Sequence, residues 1–201
     1  MFRVLALLVA GVVLVGMSGC SSMPKVSRTD ASEQIDLSGD WNDTDSQLVS
    51  AEMINDVLSR PWLSDFSAKK NEKPRVIVGA VLNKSHEHIN TETFVADLER
   101  EVTNSGRVKF VASKEQREEV RSERMDQAQN ASMNTAKNMG QEVGADFMLK
   151  GQINTIMDEA GKMSLKYYQV ELQLIDMESS EKVWLGQKKI KKVVKKSRSK
   201  F

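Results

Sequence analysis

Thiols and histidines are scarce in this chain, and each scarcity closes off a class of function. Cys20 is the sole cysteine among 201 residues. One thiol forms no internal disulfide framework and no cysteine-based zinc site. The only two histidines, His86 and His88, flank Glu87, and nothing else of their kind exists to complete a transition-metal set. Neither common phosphate-binding glycine loop occurs. Gly144-Ala145-Asp146 stands between a helical and a strand pattern, the wrong order for one. A Gly-x-Ser-x-Gly elbow is also missing. Beyond Cys20, no apolar run approaches the roughly twenty residues of a membrane-spanning helix.

Catalysis therefore has few places to reside. His86-Glu87-His88 follows a predicted strand, where open α/β sheets tend to hold ligands, so it is the one candidate for metal or acid–base work. Two exposed loop histidines are the plainer reading. Glu52, Asp97, Glu101 and Glu171 can be imagined as paired carboxylates, but each falls on a solvated face of its predicted element.

What is present begins at the amino terminus. Arg3 precedes an apolar run from Val4 to Val15, and Met17-Ser18-Gly19-Cys20 follows. A run of about a dozen apolar residues has the length of a signal-peptide core. The ending resembles the lipobox of bacterial lipoproteins, with Met17 where leucine is usual. It implies a signal peptide at 1–19, cleavage before Cys20 and acylation of its thiol. An ordinary secretory signal with an unrelated cysteine is the alternative. Ser21 is not the aspartate associated with inner-membrane retention, so the sorting rule of such lipoproteins implies an outer-membrane anchor.

Charge is balanced overall at a formal +1 but unevenly placed. Lys188 to Phe201 carries eight basic residues and no acid, which leaves 21 basic against 28 acidic residues elsewhere. An exported protein meets no nucleic acid. The basic end suits anionic headgroups, an acidic protein partner, or simply a solvated edge that blocks strand pairing.

Residues 20–40 are rich in Ser, Asp and Thr without apolar periodicity and read as a lipidated, flexible tether. A binding domain is expected at 41–196 and a basic tail at 197–201. The first helix is predicted from Asp45 as N-cap to Ser59, stopped by Arg60-Pro61, with Trp62, Leu63 and Phe66 folding back on the core. Arg75–Leu82 is apolar on both faces and reads as a strand covered on both sides. A helix at Thr91–Asn104 and a strand at Val108–Ala112 complete a βαβ unit. Ser113 and Gln116 form a capping-box pattern before a highly charged helix, Lys114–Gln129. A short helix ending near Val143 follows, with Ala136 and Met139 on its face. Three strands end the body, turning at Asp158–Gly161 and Glu178–Ser180 and finishing at Val183–Val194. Lys166 and Tyr167 are read as pointing away from the inward face of the middle one. The methionines from Met125 to Met177 are scattered, which reads as core filling. The fold class is α/β: a single domain with a mixed β-sheet, a βαβ unit plus an antiparallel meander, packed by about four helices.

Leu37-Ser38-Gly39-Asp40-Trp41-Asn42-Asp43-Thr44-Asp45, Lys73-Pro74-Arg75-Val76-Ile77-Val78-Gly79, Gly144–Gly151 and Val183-Trp184 with its lysines, taken with the lipobox, resemble the LpoB family of lipoproteins. The strand entry at Gly144-Ala145-Asp146 also resembles curli-secretion lipoproteins and the amino-terminal domain of TolB. The family resemblance implies a TolB amino-terminal-domain-like fold. It also implies a non-enzymatic outer-membrane lipoprotein that activates a class A penicillin-binding protein, with Cys20 as its lipidation site and no cofactor or metal. A monomer is expected, and the interface is expected on Lys114–Gln129 or near Lys166 and Tyr167. A structural, curli-transporter-type lipoprotein is the alternative, but it needs long amphipathic membrane hairpins that this chain does not show. The tether is short for reaching an inner-membrane synthase, since from Cys20 it extends about 70 Å at most.

Overall fold

The structure is a computed structural model that describes residues 27–30, 33–132, 134–135 and 142–195. The chain divides into a unit up to Gln34 and a second unit from Ile35 onward. In the first, the Glu33 amide donates to the Asp30 carbonyl at 3.1 Å. All of the regular secondary structure described lies in the second.

Helix α1 spans Asp43–Leu58 and opens earlier than the sequence suggests. Asn42 is its N-cap: its side chain accepts from the Asp45 amide, and Asp45 reaches back to the Asn42 amide at 3.0 Å. Asp45 thus closes a capping box from the third helical position. Arg60-Pro61 ends α1 as expected. Pro61 also starts α2 (Pro61–Lys70), because a first helical position needs no N–H. The expected fold-back is therefore a helix. It brings Trp62 and Phe66 edge-on to Phe147, at centroid distances of 4.9 and 5.4 Å.

β1 (Arg75–Lys84), α3 (Thr91–Asn104) and β2 (Lys109–Phe110) form the parallel βαβ unit. β2 is shorter than expected, because Ser113 soon turns the chain into α4 (Lys114–Asn130) through its capping box with Gln116. α4 buries no side chain. The helix expected to end near Val143 falls mostly on residues outside those described. β3 (Phe147–Ala160), β4 (Met163–Asp176) and β5 (Lys182–Lys195) form the antiparallel meander. The β3–β4 hairpin is longer than expected, since Asp158 and Glu159 still pair with Leu165 and Ser164. The turn is a two-residue one with Gly161 at φ 58°, where a side chain would be strained. At the next turn the Asp176 carboxylate accepts the Glu178 and Ser179 amides. The sheet order is β2-β1-β3-β4-β5, a mixed sheet in one α/β domain.

Buried side chains fall on one face of this sheet, beneath α1, α2 and α3. Phe147, Leu149 and Ile153 on β3, and Tyr168, Val170, Leu172 and Leu174 on β4, meet Val49, Met53, Phe94 and Leu98 there. β1 is not covered on both sides. A register shift between Val78 and Val81 inserts an extra residue opposite β3. The shift turns Val76, Val78 and Val81 all to the core although their spacing breaks alternation. Leu82, on the other face, stays 50% exposed. The methionines also depart from expectation: Met125, Met157, Met163 and Met177 are exposed, and Met133 and Met139 lie outside the described residues.

At Gly151 on β3 the backbone of β4 comes close. A methyl group there would collide with the Glu171 carbonyl of β4, which is backbone and cannot swing aside. Gly151→Ala is expected to cost about 1–3 kcal/mol, read from the urea unfolding midpoint.

Candidate functional site

The histidine loop is engaged at its middle residue. The Glu87 carboxylate accepts the Tyr168 hydroxyl at 2.7 Å, the Lys166 ammonium at 2.8 Å and the Trp41 amide at 3.2 Å. Tyr168 is fully buried, and Trp41 stands edge-on to it at 5.7 Å and to Phe94 at 6.0 Å. Asp40 also pairs with Lys166. Lys192 bridges Asp45 at 2.6 Å and Asp36 at 3.1 Å, and Gly39 lies against Val194 with no room for a side chain. Together these bonds bind residues 36–41 as a strap across β4 and β5. Glu87 is thereby a structural clamp. His86 Nδ1 lies 3.2 Å from Thr155 Oγ1. Among the described residues no group of three or more His, Cys, Asp or Glu side chains is placed to hold a metal ion.

Three sequence assignments change here. Lys166 shares its face with Tyr168 and is consumed by the clamp, so it is not an outward contact. Tyr167 does lie on the opposite face, across from Ile156 and Lys191. Asp97 is buried rather than solvated; it accepts the Ser46 hydroxyl at 2.6 Å and pairs with Arg100 at 3.0 Å. The basic run is likewise split by strand alternation. Lys188 and Lys192 face α1 and pair with Glu52 and Asp45, while Lys189, Lys191 and Lys195 point outward.

The strap's charges set its pH range. Lys166 holds the Asp40 carboxyl below the usual carboxylate range. Burial pulls the Lys166 ammonium down, but Asp40 and Glu87 outweigh it and the net shift is upward. Burial, then the neighbouring Glu87 carboxylate, pushes the Tyr168 phenol upward. A depressed carboxylate adds stability above its unfolded pKa and loses it as pH falls through the folded value. A raised ammonium adds stability below its unfolded pKa and loses it as pH rises through the folded value. Trp41 fluorescence is therefore expected to stay constant across neutral pH. It should change in acid below the ordinary aspartate pKa of 3.8 and in alkali above the ordinary lysine pKa of 10.5.

The sheet's other face carries no helix contact from α1, α2 or α3. At its centre Glu171 is held by amides from three strands: Gln152 at 2.8 Å, Gln169 at 2.5 Å and Gln187 at 3.4 Å. The Gln152 bond, then the Gln169 bond, keeps its carboxyl below the usual range. This centre lines a cavity of about 570 Å³ rimmed by Leu82, Lys150, Gln173 and Leu185. Leu185 is 68% exposed. The rim leucines were missed in sequence. The available signal was their parity: Leu185 sits one residue after the buried Trp184, and so faces away from the core.

The sheet thus carries α1, α2 and α3 on one face and, on the other, a carboxylate bonded by three amides among exposed leucines. The chain belongs to the LpoB family of peptidoglycan-synthase activators, whose model matches residues 45–190. No curated protein matches the sequence. Among solved structures, the C-terminal domain of LpoB from Escherichia coli is 15% identical with a TM-score of 0.43, over 73% of this chain and 98% of that one. Lipoprotein GNA1162 from Neisseria meningitidis is 17% identical with a TM-score of 0.40, over 63% and 88%. The PelC dodecamer from Paraburkholderia phytofirmans gives 15% and 0.34, over 60% and 72%.

Proposed function

We propose that this chain is an outer-membrane lipoprotein, anchored through acylated Cys20, that stimulates a class A penicillin-binding protein by contact and not by catalysis. The match to the peptidoglycan-synthase activator family over residues 45–190 is the observation that carries this reading. The lipobox-like ending supports the anchor. Among the described residues no helix is long and apolar enough to cross a membrane.

The docking surface is the sheet face around Glu171, opposite α1, α2 and α3. Its exposed leucines supply apolar area at the rim of a preformed hollow, and its amides supply hydrogen-bond partners fixed in place. Immobilised chain should retain a class A penicillin-binding protein from a mixture of purified periplasmic synthases. Retention of none of them would defeat the proposal.

A further inference from the structure

Six of the thirteen large hydrophobic side chains exposed among the described residues gather at one end of the domain: Ile35, Leu37, Ile156, Met157, Met163 and Val193. Pairing of β3 with β1 stops at Asn154, so the β3–β4 hairpin projects beyond its neighbour, and Ile156–Met163 are exposed throughout. The strap crosses β5 at this same end, where Asp36–Gly39 lie beside Lys192–Lys195. The chain coming from Cys20 therefore enters the domain next to the hairpin.

We infer that this end docks on a phospholipid headgroup surface, with the hairpin and strap side chains dipping into it. Three observations select that occupant. First, the apolar groups point to more than one side. Strand alternation puts Ile156 and Met163 on the face opposite α1, α2 and α3 and Met157 on the other, while Leu37, 94% exposed, stands on the strap. A rigid protein partner covers one face, whereas a soft lipid interface accepts a projecting edge from both. Second, exposed Lys162, Lys191 and Lys195 stand at this end and can reach headgroup phosphates, although Asp36, Asp40, Asp158 and Glu159 leave it without a net cationic excess. Third, only residues 20–34 separate Cys20 from Ile35, and a chain of that length spans no more than about 54 Å. This last argument rests on the proposed anchor. It holds the domain's entry end close to lipid, where even weak attachment is favoured by effective concentration. Docked in this way, strands of fourteen residues would lift the opposite end about 46 Å from the surface, toward a partner in the periplasm.

The test uses the chain from residue 20 with Cys20→Ser, so that no lipid is attached, floated with vesicles of phosphatidylethanolamine and phosphatidylglycerol. The parent is expected to float with the vesicles. Ile156→Asp combined with Met163→Asp should lower its partition about ten-fold or more, with far-UV circular dichroism unchanged. Leu37→Asp should weaken flotation too, and its side chain has no packing to lose. A parent that stays with the buffer, or variants that float as the parent does, would overturn the proposal. So would loss of synthase binding in vesicle-free solution by the Ile156/Met163 variant, which would assign this end to the protein partner. A dimer dissolved by the same substitutions would assign it to a second copy. Flotation requires neither the anchor nor a synthase, so this proposal and the activator reading fail separately.

Discussion

Glu87→Ala is expected to destabilise the domain by about 2–4 kcal/mol, whereas His86→Ala and His88→Ala should each change stability by less than about 0.5 kcal/mol. The contrast follows from what each side chain touches. Removing the Glu87 carboxylate takes the charged acceptor from the buried Tyr168 hydroxyl and one of two anions from Lys166, which is only 14% exposed. Tyr168 keeps the Gly39 carbonyl at 3.0 Å, so its hydroxyl is weakened in its bonding but not stranded. Lys166 keeps Asp40, which is largely solvated. The Trp41 amide also loses its partner, so the strap should loosen before the sheet does. For a domain of this size the midpoint of thermal unfolding should fall by roughly 5–15 °C in Glu87→Ala. The two histidine variants would hold the parent value. A histidine variant as damaging as Glu87→Ala would show that the loop is more than a clamp.

The second large effect concerns the sheet face around Glu171. Leu82→Glu with Leu185→Glu is expected to weaken binding of a class A penicillin-binding protein by at least about thirty-fold, which corresponds to about 2 kcal/mol. Both side chains are exposed, so stability should move by no more than about 0.5 kcal/mol. The two leucines sit on β1 and β5, at opposite sides of the amide cluster, and line the same cavity. Introducing two carboxylates there also places like charge near Glu171, whose own charge is already held by three glutamine amides. Surface plasmon resonance with the parent and variant chains gives the ratio directly.

Much of this fold is legible in the sequence, where local rules decide. α3 takes its expected bounds because Asn90, the Phe94, Leu98 and Val102 spacing, and Ser105-Gly106 all act within the helix. The capping box of α4 is legible for the same reason. Misreadings arise where a residue serves two elements or where pairing sets direction. Pro61 stops α1 and starts α2, and the sequence pattern shows only the stop. The extra residue between Val78 and Val81 exists only in register with β3, so β1 reads as apolar on both sides when it is covered on one. Lys166 is polar and reads as outward, but its strand parity matches that of Tyr168, and two carboxylates distant in sequence neutralise it. Glu87 is conspicuous from its flanking histidines. Its partners lie 46, 79 and 81 residues away, which no local spacing reveals.

The rate of glycan-chain polymerisation by a purified class A penicillin-binding protein, titrated with the chain from residue 20 carrying Cys20→Ser, tests the central claim most directly. The account predicts a saturable rise in rate with the parent chain, and no rise at the same concentrations with the Leu82→Glu/Leu185→Glu variant. A rate unchanged by the folded parent at saturating concentration would contradict it.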